Sequence, residues 1–347
     1  MPELPEVQTI VDDLRKKVVG RKIVDIWTDW PKYFHPVRNP PSRQSGTASA
    51  ASGRLISNGV NPEVIFRKHV IGKKITGVER MAKNIIFDLS DNHLMLIHQK
   101  MSGHLLYGKW RKINGVWQST IKGPLLEDRN NQYIRLIFFF DPVRGRSPRG
   151  GRSRPAKGGR AASNGVDNGS MLALSDLRRF AKVLCGKKEE ILNLPELQSL
   201  GPEPLNPQFT FKKFKELFNP PAGGKRGRIK PLLMTPNFIS GIGNIYADEI
   251  LWFAKIHPAA RAEKLKEAEL KKIYQAIKII LRKALKLRGS SIDDYRDGLG
   301  RRGSYDLTRY VYQREDEPCK RCGAKIKRLK LAGRSAHFCP ACQRLKP

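Results

Sequence analysis

Two cysteine pairs, Cys319-x2-Cys322 and Cys339-x2-Cys342, stand sixteen residues apart near the C-terminal end of the chain. No other feature limits the possible folds as much. Two turn-borne CxxC pairs at this distance match a closed, tetrahedral four-thiolate zinc site. Pro318, Gly323 and Pro340 suit the tight turns that such knuckles need. A module this small buries too little apolar surface to fold unaided, so metal binding and folding are expected to be one event. The fifth cysteine, Cys185, lies in Val183-Leu184-Cys185-Gly186 and reads as a small buried side chain.

Charge narrows the partners. Of 347 residues, 66 are Lys or Arg and 32 are Asp or Glu, a formal net charge of +34. Such a field concentrates polyanions and speaks to partners rather than fold. Nucleic acid is the first candidate. A membrane surface lacks support, since the chain has neither a basic amphipathic anchor nor a lipidation signal. No apolar run approaches the ~18 residues of a bilayer span. The first twenty residues lack the apolar core of a secretory signal. The expected location is the cytoplasm, whose reducing conditions favour metal over disulfide.

Periodicity divides the chain. Residues 22–30, 64–67, 75–90, 93–98, 133–140 and 171–175 are short β-branched or apolar runs between turn signals and read as strands of an all-β or α+β domain. Residues 36–62 are rich in Pro, Ser, Gly and Asn. Residues 143–170 hold six Arg, one Lys, one Asp and seven Gly with almost nothing apolar. Both read as loops, the second inserted between two paired strands. Helical patterns take over from about residue 195, at 209–218 and 264–288. In the longer, Leu270, Ile273, Ile277, Leu281 and Ala284 share one face. Between them, Gly241-Ile242-Gly243-Asn244 permits a tight turn, with Asn244 opening a helix whose exposed amides favour an anion.

The N-terminus carries reactive chemistry. It reads Met1-Pro2-Glu3-Leu4-Pro5-Glu6-Val7. Removal of Met1 would leave Pro2 a free secondary amine, and α-amino groups titrate near ~8, about two units below a lysine. Such amines form Schiff bases with sugar carbons. Glu3 and Glu6 add two carboxylates for proton transfer and charge stabilisation. The same residues also start a helix: Pro5 suits the first turn, Val7, Ile10, Val11, Leu14 and Val18 follow at helical spacing, and Gly20 lies beyond the end.

Taken together, Pro2-Glu3-Leu4-Pro5-Glu6-Val7, Gly241-Ile242-Gly243-Asn244-Ile245-Tyr246-Ala247 and the four-cysteine finger resemble the bacterial formamidopyrimidine-DNA glycosylase family. The resemblance covers the chain apart from the two polar insertions. It implies an α+β multidomain fold: an N-terminal β-sandwich flanked by helices (2–188), a helical helix-two-turn-helix domain (195–300) and a zinc finger (305–347). It also implies a bacterial, nucleoid-associated monomer that removes oxidised purines, 8-oxoguanine and formamidopyrimidines, from damaged double-stranded DNA and cuts the strand by β,δ-elimination.

The roles implied by the resemblance fall on particular residues. Pro2 is the nucleophile, Glu3 the acid that assists ring opening, and Glu6 a support that orders the terminus. Lys83, in Arg80-Met81-Ala82-Lys83-Asn84, contacts DNA at the lesion and donates a proton. Met101, Arg178 and Phe180 fill the hole that the extruded base leaves, because unstacking costs a few kcal/mol. Lys225, Lys230 and Asn244 hold phosphates, with Tyr312 close by. Arg334, in Gly333-Arg334-Ser335 between the cysteine pairs, bridges phosphates and assists δ-elimination. Cys319, Cys322, Cys339 and Cys342 hold one structural zinc.

Three positions depart from the family pattern. Leu177 stands for a proline, Lys100 for a glycine, and Asn131 for a DNA-contacting histidine, which weakens one expected phosphate contact. An endonuclease VIII-type enzyme acting on oxidised pyrimidines is one alternative, opposed by Leu4, where that branch typically has glycine. A non-catalytic DNA-binding relative is the other, opposed by the presence of Pro2, Glu3 and Lys83.

Overall fold

The computed structural model describes residues 1–35, 61–142, 169–218 and 227–346. Most of the two polar insertions, and Lys225, lie outside the described residues. The N-terminal half is a sandwich of two four-stranded sheets. One orders Ile23–Thr28, Ile134–Phe140, Met171–Ser175 and His104–Gly108. The other orders Lys182–Lys187, His93–His98, Asn84–Leu89 and Ile75–Met81. All neighbouring strands are antiparallel. Alternate residues point inward, as a period of two demands: Ile85 and Phe87, Met95 and Ile97, Leu136 and Phe138, Leu172 and Leu174 meet in one core. Ile134–Phe140 pairs directly with Met171–Ser175, so the Arg/Gly-rich insertion does join two adjacent strands.

Two sequence readings change. The run 64–67 is not a strand but the middle of a helix, Pro62–Val70. The Asn61 side chain caps it by accepting from the Glu63 N–H, Pro62 sits in the first turn, and Glu63 pairs with Arg67 one turn on. Phe66 and Val70, four apart, are its buried face. Residues 75–90 are two strands, not one. They turn at Ala82, which takes the left-handed conformation (φ 54°).

The first helix, Leu4–Val18, buries Val7, Ile10, Val11, Leu14 and Val18 against the sandwich. Leu4, at its start, belongs to a different core: it packs among Phe238, Ile242, Tyr246 and the long helix Glu267–Lys286 of the helical half. The N-terminus therefore sits in the seam between the two halves. Partly buried ion pairs close the rest of the seam. Arg288 joins Asp13 (2.5 Å) to Asp297 (2.6 Å), and Arg296 meets Asp128 at 2.5 Å.

The cysteine module is built on a hairpin, Lys327–Leu331 with Arg334–Phe338. Its two-residue turn, Ala332 and Gly333, has positive φ at both positions (48° and 75°), the geometry that matches strand twist in a tight hairpin. Trp252 of the helix Asn244–Ala254 reaches into the finger's core with Val311, Ile326, Cys319 and Cys339.

Candidate active site

The site begins where the N-terminus meets the helix Asn244–Ala254. Glu3 is 2% exposed, and its carboxylate accepts from the backbone N–H groups of Gly243 (2.7 Å), Ile245 (2.9 Å) and Tyr246 (3.4 Å). These are the unpaired donors of a helix start, where the dipole also favours an anion. The Gly-x-Gly-Asn turn thus does bind an anion, and that anion is the chain's own Glu3. Both glycines are needed for close approach. A Cβ on Gly243 would lie 2.4 Å from Glu3 Cδ, and one on Gly241 would lie 2.8 Å from Leu4. The Leu4 N–H donates to Gly241 O at 3.0 Å.

Glu6 fixes the same segment from the other side. Its carboxylate accepts from the Glu3 N–H (2.9 Å), the Ser290 N–H (2.8 Å) and the Tyr246 hydroxyl (2.5 Å). Burial, with Glu3 as a nearby like charge, raises its pKa. Pro2, buried between these anchors, has little freedom to move.

Lys83 projects from the turn after Ile75–Met81. Glu203, in the segment linking the two halves, clamps that turn by accepting from the Ala82 N–H (2.5 Å) and Arg80 Nη1 (2.7 Å). Burial pulls the Lys83 pKa below the usual lysine value. Glu3 and Glu6 oppose the shift, and Arg334 adds to it. Arg334 itself is exposed at the finger's hairpin tip. The N-terminus, Lys83 and Arg334, remote in sequence, therefore share one electrostatic site. His98, beside Lys83 in a cavity of about 260 Å3, accepts from the Lys100 N–H and is held neutral, its pKa lowered to about 3 by burial and by Lys100.

Met101, Arg178 and Phe180 come together on a scaffold that the sequence did not reveal. Asp176, fully buried, accepts from Ser102 Oγ (2.7 Å), the Ala181 N–H (2.9 Å) and the Tyr33 hydroxyl (3.1 Å). Ser102 Oγ in turn accepts from the Arg178 N–H at 3.0 Å. One carboxylate thus ties together the two loops that carry the three side chains. Met101 (38% exposed) and Phe180 (59%) remain in solvent although they are large and apolar. Lys100, at the position where the resemblance implied glycine, adopts a left-handed φ of 55°.

Other site residues sit differently from expectation. Lys230 is 1% exposed and pairs with Asp248 at 2.8 Å while donating to Ser335 O. It joins the helical half to the finger, so its ammonium faces inward rather than a phosphate. Asn131 is 1% exposed, with its amide held by His104 Nε2 (3.1 Å), Pro124 O (2.7 Å) and Gly300 O (2.9 Å). Its polar capacity is consumed inside the seam, and it offers nothing to a phosphate. Asn244 is partly buried beside Tyr312, whose pKa burial pushes up to about 12. Asn244 Oδ1 has no hydrogen-bond partner among the described residues.

The finger is docked by consecutive acids of one helix. Asp248 accepts from the His337 N–H (2.9 Å), and Glu249 accepts from the N–H groups of Tyr310 (2.8 Å), Val311 (2.9 Å) and Tyr312 (3.0 Å) and from the Tyr305 hydroxyl (3.0 Å). The four cysteine sulfurs lie within 4.8 Å of one another. Tetrahedral Zn–S bonds of about 2.3 Å set sulfurs about 3.8 Å apart, so the quartet fits zinc in number, softness and spacing. Trp252 Nε1 donates to Cys319 Sγ at 3.4 Å, which orients and steadies a thiolate ligand.

Comparison with known proteins matches this architecture segment by segment. The family model described as the formamidopyrimidine-DNA glycosylase N-terminal domain matches residues 1–58 and 46–183, the H2TH domain of the same enzyme matches 200–296, and a zinc finger found in FPG and IleRS matches 316–345. This chain belongs to the formamidopyrimidine-DNA glycosylase family. Formamidopyrimidine-DNA glycosylase of Heliobacterium modesticaldum is 30% identical over 344 residues, covering 99% of this chain and 100% of that one. The Enterococcus faecalis enzyme is 31% identical over 349 residues, covering 100% and 98%. Among solved structures, the Lactococcus lactis Fpg bound to DNA with an abasic site is similar at a TM-score of 0.71 and 28% identity, covering 99% of each chain. MutM bound to DNA containing carbocyclic 8-oxo-G gives 0.70 and 29%, covering 99% and 100%. The family is one of DNA glycosylases, and its zinc finger coincides with the cysteine quartet found here.

Because the finger is docked through Asp248 and Glu249 but shaped by its metal, zinc removal should act locally. Chelation, or Cys339→Ser, should unfold the finger and reduce glycosylase activity at least about tenfold. Far-UV circular dichroism of the sandwich and helices should stay nearly unchanged. Full activity after stoichiometric zinc release would contradict this.

Proposed function

We propose that this chain is a bifunctional base-excision enzyme, a DNA glycosylase with AP lyase activity on oxidised purines in duplex DNA. The observation that carries the proposal is the docking of the N-terminus: Glu3 and Glu6 lock the residues around Pro2 into the seam, within electrostatic reach of Lys83 and Arg334. With Met1 removed, the Pro2 nitrogen lone pair attacks C1′ of the damaged nucleoside. The glycosidic bond breaks and its electron pair leaves with the base, which takes a proton from Lys83. Attack leaves the Pro2 nitrogen as a protonated ammonium. Glu3 takes that N–H proton and delivers it to O4′ as the C1′–O4′ bond opens, and the freed nitrogen pair closes to an iminium. Loss of a C2′ proton then expels the 3′ phosphate, and a second elimination expels the 5′ phosphate.

The remaining residues serve this sequence. Met101 and Phe180, exposed and apolar, are suited to wedge the stack, and the Arg178 guanidinium can pair with the orphaned base. Arg334, exposed at the finger's tip, bridges phosphates at the departing ends. Asn244, which opens its helix and can donate through its side-chain amide N–H groups, and Lys225 complete the phosphate contacts. Lys230 contributes by holding the finger in place. The net charge of +34 fits a duplex as partner. Family relatives solved in complex with DNA containing carbocyclic 8-oxo-G or Fapy-dG support oxidised purines as substrates.

Borohydride reduction during turnover should crosslink the DNA to the N-terminal peptide through Pro2, and an N-terminal tag should abolish both the crosslink and strand cleavage. A crosslink through Lys83 in the unmodified protein would overturn the assignment.

The Lys83 environment sets an alkaline limit. A lysine that donates a proton works below its pKa and fails above it. Burial lowers that pKa, so activity should fall at a pH below the ordinary lysine range. Lys83→Arg keeps its charge to far higher pH and should shift the alkaline limb upward at reduced rate. An unshifted limb would exclude Lys83 as the titrating donor.

A further inference from the structure

The helix Asn244–Ala254 receives Glu3 at its start, and a second concave surface opens at its other end. Eleven residues at 1.5 Å each separate the two by about 16 Å. This cleft has a volume of about 1040 Å3 and is walled by residues 254–261, by the start of the helix Glu267–Lys286, and by residues 344–346. Arg228, Lys255, Lys264, Lys266, Lys272 and Arg344 line it. Among the described residues none of the six forms a direct ion pair with a carboxylate, although Lys266 interacts electrostatically with Glu269. Glu269 is the one acid in the lining, and it is occupied by Lys346 (2.6 Å) and by the Lys266 N–H (3.0 Å).

Cations gathered in one concavity repel one another, and an anion in the same space relieves that repulsion. An open cleft of about 1040 Å3 lined by six cations fits a chain of anions better than a single ion. A duplex presents one phosphate charge per ~1.7 Å of axis, enough to meet several of these cations at once. We propose that this cleft binds the phosphodiester backbone of a second DNA segment while the seam holds the first. The protein would then pass between neighbouring segments during its search without releasing both. The inference rests on DNA as the occupant of the seam, and it is independent of the chemistry at Pro2.

The test uses the full-length, zinc-loaded protein saturated with a short duplex carrying a non-cleavable abasic-site analogue. A labelled, undamaged duplex is then titrated in and followed by anisotropy across a range of salt. The second duplex should bind. Lys255→Glu, Lys264→Glu and Lys272→Glu combined, all exposed positions, should weaken that second event at least tenfold and flatten its log–log salt slope by about 2–3 units. The corresponding Gln set should fall between. Excision on an isolated short duplex should be unchanged, which separates the cleft from the catalytic seam. Absence of a second duplex on the saturated complex, or equal binding by the variant, would overturn the proposal. Capture of polyglutamate with no competition from duplex would also overturn it and assign the cleft to an acidic protein. A first duplex that fails to bind at all would overturn the seam reading and the ternary complex with it.

Discussion

The arrangement depends on one charged hydrogen-bonded contact, the Glu3 carboxylate in the N-terminal turn of the helix Asn244–Ala254. Three backbone N–H groups meet the carboxylate there. Charge-assisted bonds of this kind are about twice as strong as neutral ones, and a buried carboxylate without them would be costly. The contact satisfies a helix start that would otherwise leave donors unpaired inside the protein. It also brings a terminus, ordinarily the most mobile part of a chain, into the buried seam. Leu4, one residue on, packs into the helical core, so polar and apolar anchoring act on adjacent residues.

The same helix organises what lies around the terminus. Its second turn carries Asp248 and Glu249, which hold the finger and the segment before it, and Trp252 extends into the finger's core. Position and orientation of Arg334 relative to Pro2 are therefore set through one rigid element. On the opposite wall, Glu203 holds the Lys83 turn and Asp176 holds the loops of Met101, Arg178 and Phe180. The loops of Met101, Arg178 and Phe180 and the finger that carries Arg334 are thus backed by buried carboxylates, and the Lys83 turn by the partly buried Glu203.

Local signals in the sequence were legible and distant partners were not. The amphipathic helix after Pro5, the stripe from Leu270 to Ala284 and the cysteine spacing depend on near neighbours, and the structure matches all three. The run at 64–67 misled because three apolar residues suit a strand or a buried helix face equally, and the Asn61-Pro62 cap decided it. Asp176, Glu203 and Glu249 carry no local pattern. Their importance lies mainly in contacts 56 to 143 residues away. The family resemblance implied a phosphate contact for Lys230 and a weakened one for Asn131, whereas burial gave both internal partners. The glycines at 241 and 243 pointed correctly to an anion at a helix start, but nothing local could say that the anion was Glu3.

The most direct measurement of this account is Gly243→Ala. Gly243 has φ −130°, a backbone conformation open to alanine, so the added methyl acts only through its contact with Glu3 Cδ at 2.4 Å. A shift of the catalytic terminus by about 1 Å should cost on the order of 100-fold in single-turnover excision. Affinity for undamaged duplex should hold within about twofold, and so should zinc content. Wild-type excision by the folded variant would contradict the claim that Glu3, seated at this helix, positions the reactive terminus.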